Sequence, residues 1–223
     1  ADAYIFINNL IENKYNKDKR YVLCYGNYEL PEKKNNLFLN EKVNIVYAGV
    51  IENLRQAAIL ATKSALFLDD SYIIHILGFG DKENIASFIK VLEQVNNVKG
   101  YEAVVFHGKL SGQKYSDFLH SCQIGLSCHA YLNEDMDSAD YTFPSKIPTY
   151  IGHDLKVVSP DISCVLESPF AKHITFYHYH EPENIAKAIV ECRMKIEKKN
   201  SEKPSTLIRE MHEDFLKEIN SLI

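Results

Sequence analysis

Short runs of β-branched and aromatic residues alternate along the chain with longer stretches whose apolar residues recur at helical spacing. The runs Val43–Tyr47, Tyr72–Leu77, Ala103–Phe106, Ile124–Ser127, Lys156–Val158 and Ile174–Tyr177 read as buried strands. Between them Leu54–Ala65, Lys82–Gln94, Gln113–His120, Ser145–Ile151 and Pro182–Met194 read as helices. A closing helix, Ser205–Leu222, follows the charged stretch Lys195–Lys203. Strands separated by helices of this length imply βαβ units, and hence an α/β fold with a parallel sheet covered on both faces.

The first forty residues form a different unit. Tyr4–Ile7 reads as a strand, Leu10–Tyr15 as a short helix and Tyr21–Tyr25 as a second strand. Gly26 to Asn40 is polar and rich in Asn, Lys and Pro, the composition of a linker. Residues 1–40 are therefore expected to be the tail of a preceding domain plus a linker, and residues 41–223 the main domain.

Composition narrows the picture in three ways. With 46 % hydrophobic and 25 % charged residues over 223 positions, the chain has the make-up of one large globular domain. Its net charge of −5 argues against a nucleic-acid partner while leaving room for a local basic pocket. The cysteines Cys24, Cys122, Cys128, Cys164 and Cys192 contain no C-x-x-C pair, so reduced thiols are expected rather than a disulfide framework or zinc site. No apolar run reaches bilayer length, and Asn8 and Asn9 break the first apolar stretch before it can serve as a signal peptide. A cytoplasmic location is expected on these grounds. The basic residues of Lys195–Lys203 give a second reading, peripheral contact with the inner face of an anionic membrane.

In an open parallel sheet the ligand crevice lies at the carboxyl ends of the strands, so the residues there carry the candidate chemistry. The first main strand ends in Ala48-Gly49-Val50, before Arg55. Gly49 allows close approach of a ligand to the backbone, or simply a tight turn. The second strand ends in Leu77-Gly78-Phe79-Gly80; Glu83 stands where a dinucleotide fingerprint needs Gly, so a Gly-x-Gly turn beside a nucleotide fits better than NAD binding. The third ends in Phe106-His107-Gly108-Lys109-Leu110, which places Lys109 where a diphosphate would sit. Tyr141 to Gly152 contains Pro144, suited to a first helical turn, then Ser145 and Lys146, with Gly152 suited to the C′ position. A helix start with a hydroxyl and a lysine is a ready anion site.

Phe143-Pro144-Ser145-Lys146-Ile147, then Tyr150, Gly152 and the Val157-Val158 strand, resembles the donor-binding motif of GT-B glycosyltransferases. The closest group is the large retaining family called glycosyltransferase group one. Tyr47-Ala48-Gly49, Leu77-Gly78-Phe79-Gly80, Phe106-His107-Gly108, Tyr115–His120, Ile124–Ser127 and Ile174–Ile189 follow in the family's order, so the resemblance spans Val43 to Met194. It implies a Rossmann-like domain that holds a nucleotide diphosphate sugar through Gly49, Arg55, Gly78, Gly80, Gly108, Lys109, Ser145, Lys146 and Thr149. That sugar nucleotide is a substrate; no cofactor and no metal is implied. The acceptor would be a glycan or a lipid-linked species, in glycan or polysaccharide biosynthesis. Ala1–Tyr25 is similar to the last strand–helix–strand of the family's acceptor-binding domain. Most of that domain is absent, so donor binding without turnover is expected of this chain.

Two departures support other readings. Thr149 occupies the position where the family places a ribose-binding Glu, and Tyr141 the position of its partner Glu. Pro148 is expected to interrupt the helix by removing a backbone donor. A non-catalytic scaffold with a degenerate donor site is one alternative, and a GT-B sugar-nucleotide epimerase is another. The His178/His180 pair lacks a third metal ligand nearby in sequence, Glu134, Asp135, Asp137 and Asp140 read as a solvated acidic loop, and Cys122, Cys128 and His129 lack a catalytic base.

Overall fold

The computed structural model describes residues 2–16, 18–38, 41–52, 56–128, 142–197 and 203–222. The N-terminal unit consists of β1 (Ala3–Phe6), α1 (Asn9–Tyr15) and β2 (Arg20–Leu23), with the two strands paired in parallel. Asn8 caps α1 by accepting the Ile11 N–H at 2.9 Å. The main unit contains β3 (Val43–Val50), α2 (Ala57–Ser64), β4 (Tyr72–Phe79), α3 (Lys82–Lys99), β5 (Val104–Gly108), α4 (Gly112–His120) and β6 (Ile124–Leu126). It continues through α5 (Lys146–Gly152), β7 (Lys156–Pro160), α6 (Ser163–Leu166), β8 (Ile174–Tyr177), α7 (Pro182–Glu197) and α8 (Pro204–Leu222). Short 3-10 turns at Ala65–Phe67 and Pro169–His173, like α6, were not anticipated from the apolar pattern.

The strands β3 to β8 form one parallel sheet in the order β5-β4-β3-β6-β7-β8. The chain builds outward from β3 to β5, then crosses back and builds outward again from β6 to β8. This is the doubly wound Rossmann-like arrangement, with its switch point between β3 and β6. Alternation along the strands supplies two cores. Ile45, Tyr47, Ile74 and Ile76 pack against Ala58 and Ala61 of α2, Phe88 of α3, and Ile185 and Ile189 of α7. Val46, Ala48 and Leu77 face Phe118 and Leu119 of α4, Ile147 and Ile151 of α5, and Leu207 and Ile208 of α8. Ile45, Ile74 and Ile76 are fully buried; burying such a side chain contributes about 1.5–3 kcal/mol.

Three local expectations need correction. Gly152 is not the left-handed residue after α5: Asp154 takes that conformation, with φ +63°. Gly152 is instead the last residue of the helix, where a Cβ would lie 2.7 Å from the Glu29 carbonyl oxygen. Pro148 does not interrupt α5. It falls in the first turn, where its N–H would lack an intrahelical partner anyway, and the Pro144 carbonyl accepts from Ile147 at 3.0 Å. Gly49 and Gly78 are not in turns; they are register partners inside the paired strands β3 and β4, which run on to Val50 and Phe79.

The stretch with linker composition is pinned against α4. The Asp117 carboxylate accepts the backbone N–H groups of Lys34 (2.8 Å) and Asn35 (3.2 Å) and the Asn35 side-chain amide (2.7 Å). His120 Nε2 donates to the Pro31 carbonyl at 2.9 Å, and Leu37 N–H donates to Ser121 Oγ at 3.0 Å. Burial alone would raise the Asp117 pKa, but the bonds from Asn35, Lys34 and Gln113 outweigh it and hold the carboxyl below its usual range. At the other end, Arg20 of β2 donates to the Ser221 and Leu222 carbonyls of α8.

Candidate functional site

A cavity of about 360 Å³ opens at the carboxyl ends of β3 and β4. Ala48, Gly49 and Val50 form one wall, and Leu77, Gly78 and Phe79 the next. Lys109 and Leu110, just past β5, and Tyr115 of α4 close one side; Ser145, Lys146 and Thr149, at the start of α5, close the other. Among the described residues, the charged side chains of its lining are Lys109 and Lys146, both cationic, in a chain whose net charge is −5. Lys109 Nζ lies 5.0 Å from the centre of the Phe79 ring and Lys146 Nζ lies 5.2 Å from that of Tyr47. An anion entering the cavity therefore meets two cations, each backed by an aromatic face.

The seam beside the cavity is closed by one side chain. β3 and β6 pair through Ile45–Ile124 and Val46–Gly125. Just beyond, the Tyr150 hydroxyl accepts the Ala48 N–H at 2.9 Å and donates to the Leu126 carbonyl at 3.4 Å. Gly125 lacks the Cβ that would collide with the Tyr150 ring. The ring is fully buried, and burial raises the phenol pKa well above its usual value. The tyrosine of the motif thus knits the two strands together where they diverge.

The expected site residues separate on inspection. Gly49, Gly78, Lys109, Ser145, Lys146 and Thr149 line the cavity together. Ser145 makes no capping bond, and Thr149 Oγ1 donates to the Ser145 carbonyl at 3.1 Å. Gly80 lies outside the lining; a Cβ there would strike the Ile51 carbonyl, so close backbone packing accounts for it. Gly78 likewise faces the Gly49 carbonyl and the Ile51 side chain. Gly108 is also outside the lining and has φ +68°, a backbone requirement. Arg55, His129, the acidic residues Glu134, Asp135, Asp137 and Asp140, and Tyr141 lie outside the described residues. Sequence reasoning did not find the apolar rim, where Val50 and Phe79 are 47 % and 51 % exposed, nor Tyr47 beneath Lys146. The alternation that places Tyr47 and Gly49 on one strand face was the available signal.

Away from the cavity, His178 Nδ1 and Asp161 Oδ2 are 2.6 Å apart. Among the described residues no group of three or more His, Cys, Asp or Glu is disposed to hold a metal ion. Among the same residues no helix is long and apolar enough to cross a membrane.

No family model and no curated protein matches the sequence. Solved structures do match the fold. Over 99 % of this chain and 64 % of the other, it is similar to HepE of Anabaena in complex with UDP and glucose, with a TM-score of 0.67 at 12 % identity. The C-terminal domain of the glycosyl transferase group 1 family protein LpcC from Francisella tularensis gives a TM-score of 0.55 at 10 % identity, covering 74 % of this chain and 84 % of that one. Sucrose-phosphate synthase from Thermosynechococcus elongatus gives 0.58 at 13 % identity, over 100 % of this chain and 54 % of that one. This chain spans less than two thirds of the HepE and sucrose-phosphate synthase chains. The fold is that of the Rossmann-like half of GT-B glycosyltransferases.

Proposed function

We propose that this chain is the donor-binding part of a glycosyltransferase that moves a sugar from a nucleotide diphosphate to a glycan or lipid-linked acceptor in glycan biosynthesis. The observation that carries the reading is the cavity at the carboxyl ends of β3 and β4, whose charged lining residues among those described are Lys109 and Lys146. As the glycosidic bond to the donor breaks, negative charge grows on the departing diphosphate. Fixed cations that meet that charge stabilise the transition state more than the ground state. Lys146, on the first turn of α5, is best placed for this role. The likeness to HepE, solved with UDP and glucose, supports a sugar-nucleotide ligand.

The test is calorimetry with UDP, GDP, uridine and guanosine. Lys146→Ala removes a charge-assisted bond of about 1.5–3 kcal/mol, so diphosphate affinity should fall roughly ten- to hundredfold while nucleoside affinity changes little. Unchanged diphosphate affinity would place the phosphates elsewhere. A second reading, a scaffold with a degenerate site, draws on Thr149, which lines the cavity where the resembling family carries a Glu. Because Pro148 leaves α5 intact, Thr149→Glu should strengthen nucleoside and nucleotide binding alike. No nucleotide binding at millimolar concentration by either protein would select the scaffold.

A further inference from the structure

We propose that Tyr47 and Gly49 together position the Lys146 ammonium, Gly49 by leaving room for it and Tyr47 by holding it on a fixed ring. The inference rests on the donor-site reading for its consequence but on separate geometry for its content. Residues two apart on a strand share a face, so the space that a side chain at Gly49 would fill lies beside the Tyr47 ring. A Cβ on Gly49 would be 2.8 Å from Cε and 3.1 Å from Nζ of Lys146, and 2.8 Å from the Tyr47 hydroxyl. The end of the lysine therefore lies across the glycine. Its Nζ is 5.2 Å from the Tyr47 ring centre, within cation–π range.

The platform is rigid. Tyr47 is 2 % exposed, and its hydroxyl donates to the Val50 carbonyl of the same strand at 3.4 Å. Lysine has a long stem whose freedom weakens any contact made at its tip. A ring below it and a glycine alongside restrict that freedom before a ligand arrives, which is preorganisation. Gly49 is then needed by the lysine rather than by a ligand approaching the backbone.

Packing alone and positioning make different predictions. In protein carrying lysine labelled with 13C at Cε, the Lys146 ε-CH2 signal, assigned by its absence in Lys146→Ala, should be moved upfield by the ring current of Tyr47. Tyr47→Phe keeps the ring and should keep the shift. Tyr47→Leu should lose it, and so should Gly49→Ala, whose Cβ would take the space that the end of the lysine and the Tyr47 hydroxyl now share. Affinities for UDP and pyrophosphate should fall about three- to tenfold in Tyr47→Leu and Gly49→Ala. They should be retained in Tyr47→Phe, and uridine should bind Tyr47→Leu as it binds wild type. In a Lys146→Ala background Tyr47→Leu should have no further effect. An unshifted lysine signal in wild type would overturn the proposal, as would equal losses of UDP and uridine in Tyr47→Leu or a persisting effect without Lys146. Should Tyr47→Leu not fold, Gly49→Ala carries the same comparison. If wild type binds neither UDP nor pyrophosphate, the donor-site reading fails, while the ring-current shift and its pattern across the variants still decide whether Tyr47 holds Lys146.

Discussion

Asn44 on β3 and His75 on β4 carry polar groups into the sheet, and Gly49 and Gly78, each one residue before the end of the same two strands, line an open cavity. The first pair is sealed. Asn44 donates its amide to the Lys42 carbonyl, which leaves Oδ1 to accept from His75 Nε2 at 3.0 Å. His75 Nδ1 must then accept from His107 Nε2 at 3.0 Å, which makes His75 a neutral imidazole with its proton on Nε2 and places a proton on His107 Nε2. Phe38 of the pinned segment stacks on His75, ring centres 4.5 Å apart and planes nearly parallel. Burial pushes the His75 pKa down to about 3, with His107 adding to the effect. At the other end Lys109, just past β5, and Lys146, on α5, bring positive charge to the cavity. The same strand pair thus carries a polar network packed inside the sheet at one end and borders a cationic cavity at the other.

The largest expected effect comes from the seam that separates these strands from β6. Tyr150→Ala removes a fully buried ring and should cost about 3–5 kcal/mol. Tyr150→Phe keeps the ring but leaves the Ala48 N–H without its acceptor, and should cost about 1–3 kcal/mol in chemical denaturation. A loss below about 0.5 kcal/mol in Tyr150→Phe would mean that water replaces the hydroxyl, making the seam continuous with the cavity.

A smaller effect separates the sealed end from the open one by pH. The folded pKa of His75 lies near 3, below the ordinary 6.5. The unfolded chain therefore binds more protons between those values; stability is full above pH 6.5 and is lost as pH falls toward 3. His107 and His153, the latter lowered by burial to about 4, act with the same sign. Each imidazole held neutral adds a slope of up to about 1.4 kcal/mol per pH unit. Phe38→Ala should wet His75, raise its folded pKa and flatten the loss measured by urea unfolding between pH 6.5 and 4. An unchanged slope would show that the stacked ring does not seal the network.

How much of this was legible in the sequence follows the same division. The alternation of strands and helices rests on apolar runs and segment lengths, and those are written locally: the strand Ile174–Tyr177 has the predicted bounds. Strand ends were harder, because Gly49 and Gly78 look like turn residues until their partners across the ladder are known. Gly152 was read as a cap for the same reason; its need arises from Glu29, over a hundred residues earlier in the chain. Lys109 and Lys146 were visible as cations after strand ends. The Asn44–His75–His107 chain was not, since its members come from three strands and no local pattern joins them. The segment from Gly26 to Phe38 has the composition of a linker, and what binds it, the Asp117 carboxylate with His120 and Ser121, lies some eighty residues further along the chain.

The smallest effect tests the two cations against each other. Lys146 is half-buried and lies on a buried ring, whereas Lys109 sits over Phe79, which is itself half-exposed at the mouth of the cavity. Water and salt screen the outer charge more. Lys109→Ala should therefore weaken UDP or GDP by roughly two- to fivefold at low salt, a loss of about 0.5–1 kcal/mol. With a Debye length near 3 Å in about 1 M salt, that loss should largely disappear. The Lys146→Ala effect should survive the same salt, because the bond it removes is short-ranged and partly shielded from solvent. Calorimetric titrations of both variants across a salt series give the comparison directly. If Lys109→Ala equals or exceeds Lys146→Ala at every salt concentration, the diphosphate sits at the mouth of the cavity beside Phe79, and the start of α5 serves the sugar instead.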